Sequence, residues 1–393
     1  MIYLDHAAAT PVDSDVLAAM QPYFSDVFYN PSATYLPARQ AREALEAARG
    51  SVAHWLGVRP TEVIFTAGGT EGNNLAVAGV MANFPNCSAA VSAIEHESVL
   101  AAAQQFNCSV AFVTEQGRVD PGSLRQKIAD NTVLVSVMYA NNEVGTTQPL
   151  RQISAVLAEI RTERKKAGND LPLYFHTDAC QAANYLSLSV ASLGVDLMTL
   201  NGGKIYGQKQ TGVIYAASSV KLSPIIRGGG QERGLRSGTE NVAGAVGFAK
   251  ALEQAQSVRQ FEATRLNEVK NVAIRLLSQK IPGVIINGSL KYRLPNNIHI
   301  TLPGFDNERV LIQLEERGFL AAAGSACSAS SEEPSHVLRA MGVSDDAARS
   351  SLRITMGRST TMPDIERFIQ ALTEITKVIR TTLLQITKIS HIS

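Results

Sequence analysis

Two hydrophobic periods take turns along the chain up to Gly244. Short, near-continuous apolar runs stand at Val63–Phe65, Ala89–Ile94, Val110–Val113, Val133–Tyr139, Leu173–Phe175, Leu197–Leu200 and Val213–Ala216. Many are followed by stretches with apolar residues three and four apart, at Asn74–Met81, Val99–Phe106, Gly122–Ala129 and Leu150–Lys165. A run that is apolar at successive positions is a strand buried on both faces. Interleaved amphipathic helices supply the crossovers that parallel strands need. The pattern therefore predicts an α/β domain with a mostly parallel, seven-stranded sheet.

Before this region, residues 38–56 carry alanines and Leu45 at helical spacing. After Gly244 the character changes. A long helical pattern runs to about Gln279, followed by Pro282-Gly283 and short strands near Val284–Ile286 and Asn297–Leu302. A helix near Glu308–Arg317, a segment of Ala, Gly and Ser, and the run Ser351–Thr355 come next. This predicts a smaller α+β domain hinged by the long helix. The expected division is a large domain over residues 12–255 and a small domain made of residues 1–11 and 256–393. The tail from Thr381 carries no clear pattern.

Composition narrows the function classes. In 393 residues, 36 basic side chains face 35 acidic ones, for a net charge of +1, so no overall basic footprint for nucleic acid or anionic lipid exists. No apolar run reaches membrane-spanning length and no secretory leader pattern opens the chain. Cys87, Cys108, Cys180 and Cys327 show no CxxC spacing, so neither a metal site nor a disulfide framework is expected. The chain reads as cytoplasmic with reduced thiols.

The chemistry concentrates between Phe175 and Gly212. One apolar run ends on Asp178 and the next ends on Asn201-Gly202-Gly203-Lys204. An amine and a carboxylate at the ends of adjacent strands suit an aldehyde cofactor: Lys204 holds the aldehyde as an imine, and Asp178 keeps a pyridine ring nitrogen protonated. On that reading the cofactor is pyridoxal 5′-phosphate. Taken singly, Asp178 reads equally as a helix cap and Lys204 as a solvated loop residue. Thr66-Ala67-Gly68-Gly69-Thr70-Glu71-Gly72 follows a strand and opens a helix, so Gly69 and Thr70 can cradle a phosphate; a capped turn explains the same pattern. His96, just past another strand, can stack on a cofactor ring or serve a structural role. Asn142 can present an amide to a substrate or cofactor oxygen, or belong to an Asx turn. Gln181, three residues beyond Asp178, can reach the cofactor's phenolic oxygen. Gly69, His96, Asn142, Asp178 and Lys204 each sit just after a strand, where open α/β sheets bind ligands. Arg353 can clamp a carboxylate bidentately or form a surface ion pair. Cys327 lies in Ala323-Gly324-Ser325-Ala326-Cys327-Ser328, which offers no bulky neighbour to pack against, so a reactive thiol competes with a small loop cysteine. The other three cysteines read as small core residues.

Several motifs in order resemble the cysteine desulfurases, pyridoxal-phosphate enzymes of the class V aminotransferase fold. They are Tyr3–Pro11, Asn30-Pro31-Ser32, Phe65–Asn74, Glu95-His96, Asn141–Pro149, His176–Ala182, Lys204–Gly207, Gly228–Glu232, Arg236–Asn241, Gly324–Cys327 and Pro334–Gly342. The long segment after Cys327 is similar to the NifS/IscS-like group. The resemblance implies the fold type I transferase architecture and assigns roles. Lys204 corresponds to the imine-forming lysine, His96 to the ring-stacking histidine, and Asp178 and Gln181 to the ring-nitrogen and phenolate contacts. Thr70 and the Gly69 backbone correspond to the phosphate cup, Asn142 and Arg353 to substrate contacts, and Cys327 to the persulfide-forming cysteine. Thr239 corresponds to a residue reaching the phosphate in a partner subunit, which implies a homodimer. The family usually has serine and histidine where this chain has Asn201 and Gly203. Asn201 can still donate a hydrogen bond, Gly203 cannot, and looser cofactor retention is expected.

The resemblance implies an enzyme that converts L-cysteine to L-alanine and passes the sulfur to acceptors in iron–sulfur cluster assembly or tRNA thiolation. Two rivals are a selenocysteine lyase or cysteine-sulfinate desulfinase of the same fold, and a weakened homologue that serves as a binding scaffold.

Overall fold

The computed structural model describes residues 1–324 and 333–390, with side chains described up to residue 381. The chain opens with the two-residue strand β1 (Ile2–Tyr3), then builds a seven-stranded sheet from β2 (Val63–Thr66), β3 (Ser88–Ser92), β4 (Asn107–Ala111), β5 (Thr132–Ser136), β6 (Tyr174–Asp178), β7 (Leu197–Asn201) and β8 (Gly212–Ala216). Their spatial order is β2-β8-β7-β6-β5-β3-β4. Only β8 runs against its neighbours; the other six strands point the same way. Six strand ends therefore open on one rim of the sheet.

The strands are apolar at successive positions because each face is covered. Val63, Ala90, Val135, Phe175, Met198 and Val213 pack into one core, while Ile64, Ala89, Val91, Leu134, Tyr174, Leu197 and Ile214 pack into another. Neighbouring residues of one strand thus serve opposite faces, as the two-residue strand period requires.

The later part of the chain forms the antiparallel sheet β9 (Ile285–Ile286), β10 (Asn297–Thr301) and β12 (Ser351–Thr355), in the order β12-β10-β9. Strand β11 (Phe319–Leu320) pairs in parallel with β1, and Asp5 bridges to Thr355. The N-terminus is thereby stitched to the C-terminal part of the chain. The helix Val242–Lys280 joins the two regions; its buried residues stop at Ala255 and resume at Leu266.

Differences from the sequence reading are mostly shifts of element ends. The strand expected at Val110–Val113 starts at Asn107, and the helix expected at Gly122–Ala129 is Pro121–Gln126. Strands β1 and β11 are too short to show a period. The unpatterned tail belongs, as far as Ser390, to a helix, Met362–Ser390.

Candidate active site

A cavity of about 230 Å³ lies at the rim where β2, β3, β5, β6 and β7 end. Nine residues expected at the site line it: Gly69, Thr70, His96, Asn142, Asp178, Gln181, Asn201, Lys204 and Arg353. Thr239 does not; it is exposed, beside Gly238, whose N–H donates to Gln231. Cys327 lies outside the described residues. A second cavity, of about 200 Å³ and lined by Phe65, Gln210 and Asn241, contains no lysine, histidine or cysteine. The chemistry therefore assigns the site to the first.

Asp178 ends β6, where the buried strand runs out and a carboxylate can reach the rim. Its Oδ1 accepts the Cys180 N–H at 2.9 Å, and its Oδ2 accepts Asn73 Nδ2 at 2.7 Å. A carboxylate only accepts, so the Asn73 amide must face it nitrogen-first. The same Nδ2 donates to Ser98 Oγ at 2.9 Å, and Ser98 Oγ lies 2.8 Å from His96 Nδ1. The Ser98 backbone N–H also donates to that Nδ1, at 3.1 Å. In a neutral ring the proton then sits on Nε2. His96 is both the cap of the helix Glu97–Ala103 and a cavity residue, so its capping role does not take it away from the site. The expected Asx turn belongs to Asn141, whose Oδ1 accepts the N–H groups of Glu143 and Val144. That leaves the neighbouring Asn142 to line the cavity.

Lys204 follows β7 on a short 3₁₀ turn. Its Nζ donates to the Ala7 carbonyl at 2.9 Å and the Ala8 carbonyl at 2.6 Å. Gln181 Nε2 donates to the same Ala7 carbonyl at 3.0 Å. Asn201 Oδ1 accepts the Gly203 N–H at 3.0 Å, and its Nδ2 lies 3.4 Å from where a Cβ on Gly69 would stand. The Asn201 amide is thus turned with its nitrogen toward the start of the helix Gly69–Met81. A Cβ on Gly69 would come within 2.9 Å of Cys180 Sγ. Cys180 is therefore a wall of the cavity as well as a buried residue.

Arg353 on β12 is not a surface residue. Its side chain is 1% exposed; Nη2 donates to Asp5 Oδ1 at 2.7 Å and Nη1 to the Asn142 carbonyl at 3.3 Å. Behind His96, the Glu95 carboxyl is fully buried, accepts the Met138 N–H at 2.7 Å and contacts Ser92 Oγ. Burial pushes its pKa up to about 8, with the nearby Asp178 charge adding to the rise.

Asn73, Ser98 and Asp5, together with the Ala7 and Ala8 carbonyls, were not legible as site components. Asn73 lies one helical turn beyond Thr70 on the cavity side, a spacing that carries meaning only once the helix direction is known.

The residues fit pyridoxal phosphate. An open helix start with Gly69 and Thr70 suits the phosphate, since a Cβ at Gly69 would intrude. Asp178 suits the ring nitrogen, His96 the ring face and Lys204 the aldehyde.

The aminotransferase class-V family matches residues 2–368. A cysteine desulfurase IscS of Dictyoglomus turgidum is 38% identical over 387 residues, covering 97% of this chain and 95% of the relative. One from Methanosarcina thermophila is 38% identical, with 96% and 93% covered. Among solved structures, a NifS-like protein superposes with a TM-score of 0.87 at 30% identity, covering 96% of this chain and 99% of that one. SspA in complex with cysteine gives 0.77 at 33%, covering 91% and 99%.

Proposed function

The chain belongs to the aminotransferase class-V family as a pyridoxal-phosphate-dependent cysteine desulfurase, and we propose that it moves the sulfur of L-cysteine onto its own Cys327. The observation that carries this reading is one cavity lined by Lys204, Asp178 and His96 at strand ends together with a buried arginine, Arg353. When bound, the cofactor supplies an electron sink for the pair released at the substrate's Cα.

The chain's own groups divide the remaining work. Gly69, Thr70 and Asn201 take the phosphate. Asp178, fixed by Asn73 and the Cys180 N–H, holds the ring nitrogen's proton. Arg353 binds the substrate carboxylate and Asn142 adds a polar contact. Lys204 Nζ is the base for the Cα proton, and His96 stacks on the cofactor ring. The Cys327 thiolate forms an S–S bond to the substrate sulfur as the Cβ–S bond breaks. Carbon keeps that electron pair and gains a proton, giving alanine. Thr239, away from its own cavity, serves a partner's phosphate in a homodimer. The persulfide is passed to an acceptor protein in iron–sulfur assembly or tRNA thiolation, in the cytoplasm. No described helix is long and apolar enough to cross a membrane.

The test is intact-mass spectrometry of the holoenzyme after L-cysteine is added. One extra sulfur at Cys327 is expected, absent in Cys327→Ser. An unchanged persulfide yield in that variant would refute the assignment.

A further inference from the structure

Arg353 is permanently charged and almost wholly buried, so its orientation needs a partner that water cannot supply. Its Nη2 is held by Asp5 at 2.7 Å, its Nη1 more loosely by the Asn142 carbonyl at 3.3 Å, and its Nε is buried without a hydrogen-bond partner among the described residues. The strong anchor on the fork is thus the carboxylate. Asp5 owes its place to the backbone rather than to this pair. It bridges to Thr355, two residues along β12 from Arg353, and its carbonyl accepts the Tyr3 hydroxyl at 2.8 Å and the Ala8 N–H at 3.0 Å. Two residues further on, the Ala7 and Ala8 carbonyls hold Lys204 Nζ. Residues 5–8 therefore set, on one short rigid stretch, the placement of the carboxylate-binding group relative to the amine-binding group.

We propose that Asp5 is a positioning residue that fixes the Arg353 fork for an α-carboxylate and so makes the site select α-amino acids over amines lacking that group. The proposal rests on the reading of Arg353 as the substrate's carboxylate anchor. A guanidinium held at two points offers its remaining N–H groups in one plane, which a planar carboxylate needs for paired hydrogen bonds. Without Asp5, the 3.3 Å contact alone remains among the described residues, and the fork can turn.

The experiment titrates the holoenzyme with L-alanine, which has the amine and carboxylate but no sulfur, and with ethylamine, which has the amine alone. The visible absorbance of the bound cofactor reports binding of both. Asp5→Ala is expected to weaken L-alanine by about tenfold or more, the size of one lost charged hydrogen bond, and to leave ethylamine within about twofold. Asp5→Asn keeps an acceptor oxygen for Nη2 and should recover most of the L-alanine affinity. With L-cysteine the Asp5→Ala loss should fall on KM more than on kcat. Unchanged or tighter L-alanine binding in Asp5→Ala, or equal weakening of both probes, overturns the proposal. If Asp5→Ala does not fold, Asp5→Glu carries the test: it keeps the charge, moves it by one methylene, and should weaken L-alanine alone. Arg353→Gln separates the two readings. If it keeps the preference for L-alanine, the anchor reading fails and the Asp5 proposal with it. If it loses that preference while Asp5→Ala does not, only the Asp5 proposal fails.

Discussion

Gly203 offers a direct way to measure what the phosphate cup lacks. The resembled family usually has a histidine here, and the structure leaves space for its Cβ. A Cβ at 203 would meet Asn201 Oδ1 and Lys209 Cγ at 3.5 Å and nothing closer, which is ordinary van der Waals contact. The backbone there is not left-handed, so an L side chain adds no strain. Its polar groups are already placed: the N–H goes to Asn201, and the carbonyl accepts from both the N–H and the hydroxyl of Thr10. Gly203→His should therefore keep the turn and add one hydrogen bond to a charged phosphate. Such a bond contributes about 1–3 kcal/mol, which converts to roughly 5- to 150-fold in the cofactor dissociation constant. Apoenzyme of both forms would be titrated with pyridoxal phosphate and followed by absorbance, with thermal unfolding of the apo forms confirming equal folding. Equal dissociation constants in two well-folded apoenzymes would refute the reasoning.

Two further substitutions probe the walls of the site. Gly69→Ala should weaken cofactor binding by about tenfold or more, because its Cβ meets Cys180 Sγ at 2.9 Å; adding Cys180→Ala should restore part of the loss, and no restoration would place the clash elsewhere. Glu95 has its folded pKa raised from 4.5 to about 8, so folded-state stability is lost as pH climbs between those values, while the unfolded chain ionises and the folded one does not. At about 1.36 kcal/mol per unit, Glu95→Gln should gain on the native chain by roughly 2 kcal/mol or more between pH 5 and 8 in urea unfolding. A difference that stays constant across that range would show Glu95 to be ionised normally.

The sequence revealed chemistry wherever a residue follows a strand, because there the hydrophobic run gives the strand end and the residue type gives the function. Asp178, Lys204, His96 and Asn142 were legible for that reason. Asn73 and Ser98 were not, since they act through a hydrogen-bond path between two strands that are far apart in the chain. Asp5 was equally silent: its partner Arg353 lies on β12, and the short pairing of β1 with β11 that brings the two ends of the chain together has no period to read. The sheet itself was anticipated in strand number and in its mostly parallel sense. The reversal of β8 could not be seen, because a strand buried on both faces looks alike in either direction.

That reversed strand has a bearing on how the enzyme matures on the ribosome. Among the described residues, Val63 to Thr66 find their ladder partner in Gly212 to Tyr215 alone, so the first strand of the large sheet is paired by a strand synthesised after most of that sheet. Gly212 then packs against Gly68, leaving no room for a Cβ between them, and the turn before Thr70 is set only at that moment. The shape of the turn that precedes Thr70 is thereby tied to a strand lying far along the chain, and Gly212 must stay a glycine for the two to meet.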